Sequence, residues 1–287
     1  MTIKDAVVPV GGLGTRLLPA TKSQPKEMLP VVGTPVVQYV VEELARAGIE
    51  RVLFVTGRRK RAIEDHFDAD PELQRAIGAG ARTDTRAGLQ VLYTRQAAPR
   101  GLGDALRYAD GFAGDRPVVV ALGDAIVSGD QPGVLSRLIE VFEQTGADAA
   151  LAVEEVSAED VSRYGVVAVS GAGTPFEVTD VVEKPAVGDA PSRLAVAARY
   201  VLGPRVFAAL RETEPDHHGE VQVADALRKL LAAGGRVIAV PLAEGERRHD
   251  IGTIESYCAT FIEFALRDPA LGPQLRARAA ALLDAER

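Results

Sequence analysis

Residues 11–26 read GGLGTRLLPATKSQPK. Gly11, Gly12 and Gly14 free the backbone to bring its N–H groups close to an anion, and Arg16, Lys22 and Lys26 can balance the charge of a polyphosphate. The stretch follows an apolar run, Ala6 to Val10, that reads as a buried strand. The glycines by themselves would also suit an ordinary turn with solvated basic side chains. Two common phosphate loops are excluded. Gly12 and Gly14 are followed by Leu17 where the dinucleotide fingerprint G-x-G-x-x-G needs its third glycine, and no Gly-Lys-Ser/Thr follows to make a P-loop.

Further candidates stand at the ends of other apolar runs. Asp124 comes just after Val118 to Leu122, and open α/β sheets place ligands at the carboxyl ends of such strands. As a hard oxygen donor it suits Mg2+, although an aspartate there can equally serve as a turn or helix cap. Asp250, in RRHDIGT, offers a second such oxygen or a plain turn residue. Gln96, in RQAAPRGLGDAL, carries an amide able to meet both a carbonyl and an N–H of a pyrimidine edge; alone it would pass for a surface residue. Glu183 and Glu220 are acceptors of the kind that hold sugar hydroxyls, and Lys184 in VVEKP can neutralise a sugar phosphate.

Such residues need a frame. Ala6 to Val10, Arg51 to Thr56 and Pro117 to Leu122 read as buried parallel strands. Between the first two, Val37, Val40, Val41 and Leu44 fall on one helix face, with Thr34 as N-cap and Pro35 at the first helical position. A helix over Arg58 to Phe67, an apolar run at Leu89 to Tyr93 and a helix over Leu102 to Tyr108 continue the alternation. It predicts an α/β fold, a Rossmann-like doubly wound sheet, mixed but mostly parallel. Strand-like segments at 147–153, 165–169, 177–183 and 195–202 predict a β-rich, partly antiparallel section for the sugar. Helical spacing returns at Ala224, Leu227, Leu230 and Leu231, at Ile254, Tyr257, Cys258 and Phe261, and at Leu275, Ala279, Leu282 and Leu283. With no repeat or linker, residues 1–287 are expected to form one domain. Its nucleotide-binding half spans about 1–146, its sugar-binding half about 147–252, and C-terminal helices about 253–287.

Composition narrows the classes. A chain of 287 residues with 47% hydrophobic and 25% charged residues can bury a sizeable core. Cys258 stands alone, so no internal disulfide forms, and His66, His217, His218 and His249 lack the spacing of a zinc site. A net charge of -7 argues against duplex nucleic acid as partner. No stretch approaches the ~20 apolar residues that span a bilayer. The expected location is cytoplasmic.

Beyond these readings, the string GLGTRLLPATKSQPKEMLPVVGTPVVQYVVEE closely resembles the signature of bacterial UTP:glucose-1-phosphate uridylyltransferases, where a G-x-G-T-R loop leads into P-K-E-M-L-P. The related thymidylyltransferases typically read S-K-Q-L-L-P there. The likeness runs from about residue 4 to residue 268. It implies the nucleotide-diphospho-sugar transferase fold and uridylyl transfer from UTP to glucose 1-phosphate, with Mg2+ as cofactor, in a homodimer or homotetramer. Carried over by that likeness, Gly11, Gly12, Leu13, Gly14, Thr15 and Arg16 hold the nucleotide phosphates and Lys26 contacts the transferring phosphate. Gln96, Pro99, Gly101 and Gly103 would meet the base, and Asp124 and Asp250 the metal. Tyr164, Gly165, Glu183, Lys184 and Glu220 would take the sugar phosphate.

Some positions depart from that pattern. Asp104 stands where GLGHA-type members have histidine, Gly123 replaces a proline before Asp124, and residues 193–198 read RLAVAA instead of NLAIVG. The segment HGEVQVAD keeps Glu220, Gln222 and Asp225 of an otherwise altered acidic motif. None of these changes removes a phosphate or metal candidate, but they leave base and sugar open: a thymidylyl- or other nucleotidyltransferase acting on a different hexose 1-phosphate is the nearest alternative. A non-catalytic sugar-nucleotide-binding relative is a second, against which the joint retention of Arg16, Lys26, Asp124 and Lys184 counts. A Rossmann dehydrogenase is disfavoured by the failed fingerprint and by Thr56 and Gly57 where an acid should end the second strand.

Overall fold

The computed structural model describes residues 3–77, 85–171 and 173–285. Along the chain the strands are β1 (Asp5–Pro9), β2 (Pro30–Val31), β3 (Thr34–Pro35), β4 (Arg51–Thr56), β5 (Gln90–Arg95), β6 (Val118–Ala121), β7 (Ala125–Ser128), β8 (Ala149–Glu155), β9 (Gly165–Ser170), β10 (Phe176–Glu183), β11 (Leu194–Leu202), β12 (Val237–Pro241) and β13 (Arg247–Asp250). Nine of them make one sheet in the order β5-β4-β1-β6-β11-β8-β12-β10-β9, while β2 with β3 and β7 with β13 form two-stranded ladders. β1 lies parallel to β4 and β6, β4 to β5, and β8 to β12; β11 and β10 run against their neighbours. The sheet is therefore mixed, with its antiparallel pairs each involving a segment after residue 147.

The helices are α1 (Val36–Arg46), α2 (Arg61–Phe67), α3 (Pro71–Ile77), α4 (Leu102–Arg107), α5 (Asp110–Ala113), α6 (Val134–Thr145), α7 (Pro204–Glu212), α8 (Val223–Ala232), α9 (Ile254–Arg267) and α10 (Gly272–Ala285). They cover both faces of the sheet, so β1, β4 and β6 are apolar at successive positions where a half-exposed strand would alternate. Val7, Val55 and Val120 point to one core with Leu106, Phe207 and Leu227, while Val8, Phe54 and Val119 point to the other with Val40, Ile63 and Leu138.

One sequence expectation about these elements is corrected. Thr34 does not cap α1: Thr34–Pro35 pairs with Pro30–Val31, and Pro35 itself occupies the N-cap position before Val36. The helical spacing expected at the C-terminal end is present as α10, whose apolar side chains Leu275, Leu282 and Leu283 are 37%, 53% and 64% exposed. Elements that the sequence reading did not name, among them α3, α6, α7 and β12, complete the fold, and the ends of others shift, with α2 starting at Arg61 and β8 at Ala149.

A buried ion pair locks the middle of the sheet. β11 slips register against β8 between Val196 and Tyr200, with Ala198 at φ 59°. At this bulge Arg199, fully buried, forks onto Glu43 of α1, with Nη2 at 2.6 Å and Nε at 3.1 Å. Its Nη2 also donates to Ala125 O at 2.9 Å, tying the start of β7 to the same charge. Elsewhere His66 of α2 meets Gln38 Oε1 of α1 at 3.0 Å and packs edge-on against Phe67; burial holds its pKa below the usual imidazole value.

Glu43→Ala strands the Arg199 charge in the core. Urea unfolding should show a loss of about 3–5 kcal/mol, much of it recovered when Arg199→Leu is combined with Glu43→Leu. A single-variant loss near zero would refute the structural role. His66 is neutral by preference in the folded state, so the unfolded chain binds more protons below its own value of about 6.5 and stability declines as pH falls from there. His66→Gln should flatten part of that decline in unfolding curves taken between pH 7 and 5.

Candidate active site

The loop leaving β1 is built around one left-handed residue. Gly14 sits at φ 68° and ψ 28°, and its carbonyl accepts from Thr21 Oγ1 at 2.7 Å. A short 3-10 turn, Thr15–Leu17, then drives Leu17 into the core and leaves Arg16 in solvent. The turn rides over the Lys26 side chain. A Cβ on Gly14 would lie 3.3 Å from Lys26 Cβ, and one on Gly12 would lie 3.6 Å from Lys26 Cε and Nζ. Close approach at Gly14 therefore requires glycine twice over, for its dihedral and for its neighbour.

Lys26 Nζ is ion-paired with Asp124 Oδ2. Burial opposes the charge on Lys26, but Asp124 and then Glu27 outweigh it, and the ammonium is held above its ordinary pKa. For Asp124, burial pushes the carboxyl up and Lys26 pulls it down further, so it stays below the usual carboxylate range. Next to this pair lies a second, Lys60 with Glu27, at 2.7 Å and with side chains 5% and 2% exposed. There burial wins: Glu27 is raised despite Lys60, and Lys60 is lowered despite Glu27. Four alternating charges thus run inward from the cleft, with the outer pair held ionised.

Two cavities open on this line of charge. The first, of about 450 Å³, is lined by Gly11, Gly12, Leu13, Gly14, Thr15, Arg16, Lys26, Gln96, Pro99, Gly101, Asp124 and Glu220, among others. The second, of about 210 Å³, is lined by Arg16, Asp124, Tyr164, Gly165, Glu183, Lys184 and Asp250, and also by Arg163, Arg248 and Gln222. Arg16 and Asp124 border both. Glu220, expected on the sugar side, lines the first cavity, and Gln222 the second. Gly103 lies behind the cleft, where a Cβ would sit 2.8 Å from Val221 O, so packing explains its glycine. Lys22 faces a neighbouring basin with Arg58 and Arg59.

Asp250 reaches Asp124 through the β7–β13 ladder. It pairs in register with Ala125, and Ile251 N donates to Asp124 O at 3.3 Å. Two carboxylates without a third acidic or imidazole partner are a poor all-protein cage, and among the described residues no cluster of three or more His, Cys, Asp or Glu side chains is found. Such a pair fits Mg2+, which keeps several waters and takes the rest of its shell from substrate phosphates.

The second cavity is more cationic than the sequence suggested. Arg248 stacks over the Tyr164 ring at 3.8 Å and is ion-paired with Glu154; Arg163 lies 5.4 Å from the same ring and 4.0 Å from Asp250. Lys184, at φ 43°, ion-pairs with Glu183 at 3.2 Å and donates its backbone N–H to Tyr164 O at 3.0 Å. Gly165 leaves room for that carboxylate: a Cβ would meet Glu183 Oε2 at 3.2 Å. Arg248 was discoverable, because in a strand reading of RRHD it shares a face with Asp250 two residues on. Glu27 and Lys60 carried no such signal.

The nucleotidyl transferase family model matches residues 5–265. The UTP–glucose-1-phosphate uridylyltransferase of Bacillus subtilis (strain 168) is 42% identical over 281 residues, which is 95% of this chain and 94% of the relative. A crystal structure of UDP-glucose pyrophosphorylase complexed with UDP-glucose superimposes with a TM-score of 0.82 at 38% identity, covering 91% of this chain and 98% of that one. A UTP-bound UGPase from Acinetobacter baumannii gives 0.86 at 35% identity, with 97% and 99% covered. Family model, relatives and fold agree with the geometry of the cleft, and the chain belongs to the nucleotidyl transferase family, among the UTP–glucose-1-phosphate uridylyltransferases.

Proposed function

We propose that this chain transfers the uridylyl group of UTP to the phosphate of glucose 1-phosphate, giving UDP-glucose and pyrophosphate. One observation carries the reading: the glycine-loop cavity and the cationic cavity meet at Arg16 and Asp124, so two phosphorylated substrates would touch at a single seam. A phosphate oxygen of glucose 1-phosphate attacks the α-phosphorus of UTP, and the bond to the β-phosphate breaks in line. No covalent enzyme intermediate is needed, so the chain acts by positioning and charge.

The loop amides of Gly11–Thr15, with Arg16 and Lys26, hold the triphosphate and stabilise the departing pyrophosphate. Gln96, Pro99 and Gly101 border the place of the base. Lys184, Arg163 and Arg248 draw the sugar phosphate, and Glu183 accepts from sugar hydroxyls. Asp124 and Asp250 would hold a divalent cation, Mg2+, which when bound neutralises phosphate charge.

In this reading the whole chain works as one nucleotidyltransferase unit. Its nucleotide-binding half is about 1–146, its sugar-binding half about 147–252 and its C-terminal helices about 253–287. It operates in the cytoplasm as a homodimer or homotetramer. The exposed Ile262, Leu282 and Leu283 of α9 and α10 support assembly, and no helix among the described residues is long and apolar enough to cross a membrane.

A matrix of nucleoside triphosphates against sugar 1-phosphates, with and without Mg2+, should release pyrophosphate fastest with UTP, glucose 1-phosphate and metal together; a different best pair refutes the assignment. Asp124→Asn should lower kcat by on the order of 100- to 1000-fold, and retention of full turnover would remove Asp124 from the mechanism. Lys184→Ala takes away a charge-assisted contact of about 1.5–3 kcal/mol, which corresponds to roughly a 10- to 100-fold rise in KM for glucose 1-phosphate. The KM for UTP should stay put in the same titrations.

A further inference from the structure

Gln96 has no freedom to choose which end of its amide it shows to the cleft. The side chain is 5% exposed, its Nε2 donates to Asp104 Oδ2 at 2.6 Å, and Gly101 O lies 3.5 Å from the same nitrogen. A carboxylate and a backbone carbonyl are both acceptors, so only the NH2 end of the amide can face them. The oxygen must then point the other way. It lies over Gly11, where a Cβ would be 2.8 Å from Gln96 Oε1, on the side of the cavity bordered by Gly11, Pro99 and Gly101. Asp104 takes one amide hydrogen and Gly101 O lies on the side of the other, leaving the pocket an acceptor fixed in place.

We infer that Asp104 sets the base specificity of the cleft by orienting Gln96. Resting on the proposed uridylyl transfer, the inference concerns the ring edge that the pocket reads. A fixed acceptor pairs with a pyrimidine whose N3 carries hydrogen, which uracil and thymine both have. The N3 of cytosine is itself an acceptor, and two lone pairs would be pressed together in a desolvated site. Asp104 touches no substrate in this arrangement; it is a positioning residue. A carboxylate at this position can only accept, which leaves Gln96 a single orientation.

The test measures equilibrium binding of UTP, dTTP and CTP to the full-length protein by calorimetry, alongside UDP-glucose formation. The wild type should bind UTP over CTP by roughly 100-fold or more. In Asp104→Asn the partner can donate as well as accept, Gln96 can turn over, and the ratio of the CTP to the UTP Kd should fall by about tenfold or more. Asp104→Glu keeps an acceptor-only group and should keep the ratio closer to wild type. The dTTP to UTP ratio should not move in either variant, since both bases carry N3–H, and a general loosening of the fold would not single out CTP. An unchanged CTP to UTP ratio in folded Asp104→Asn, or a wild type without preference for UTP over CTP, overturns the inference. The two readings fail separately: a shifted ratio without UDP-glucose formation would sink the transfer reaction alone, and normal transfer with an unshifted ratio would sink the role of Asp104 alone.

Discussion

The cleft is organised by the requirement that a half-buried lysine and a half-buried aspartate stay charged. Lys26 and Asp124 come from segments 98 residues apart, and each is held ionised by the other against the cost of burial. The glycine loop is part of that arrangement, because the Lys26 side chain passes close under Gly12 and Gly14 on its way to Asp124. The arrangement also fixes the depth of the cleft, since the Glu27–Lys60 pair behind it carries less stabilised charge and is closed to solvent. The loop and the acid thus form one assembly in which neither has its present environment without the other.

Glycine does a different job at each point where the chain comes close to itself. Gly14 supplies a left-handed dihedral, whereas Gly123 supplies space: a Cβ there would lie 2.5 Å from Val10 Cγ1. Gly123 directly precedes Asp124, so its contact with the end of β1 sets how near the carboxylate sits to the loop. Any side chain at this position would collide with Val10, so the chain leaving β6 packs tightly against the end of β1.

Much of the frame was legible because strands buried on both faces leave unbroken valine runs, and β1, β4 and β6 lie where such runs stand. Their carboxyl ends pointed to the glycine loop and Asp124 for the same reason. Pairings between distant segments were less accessible. Nothing in the composition of LAVAARYVL shows that β11 enters between β6 and β8, or that its bulge turns Arg199 toward Glu43, because the signal is a register slip and not a residue type. Arg248 was overlooked because RRHD lacks the apolar alternation that marks a strand, and Arg163, in the short turn before β9, carried no signal of its own. Glu27 and Lys60, 33 residues apart, look like solvated charges until the fold buries them together. The apolar spacing of α10 was read correctly as helical, but periodicity reports a face and says nothing about what covers it.

The late arrival of β11 has a consequence for the order in which the molecule can be made. β6 and β8 are both paired to β11, which begins at Leu194. Until that strand leaves the ribosome, two valine- and alanine-rich edges stand with open backbone groups, a template for wrong partners. The nascent chain must therefore keep its central seam unzipped while more than half of the sheet has already been synthesised, and closure of that seam by a segment distant in sequence is among the slower pairings of the sheet.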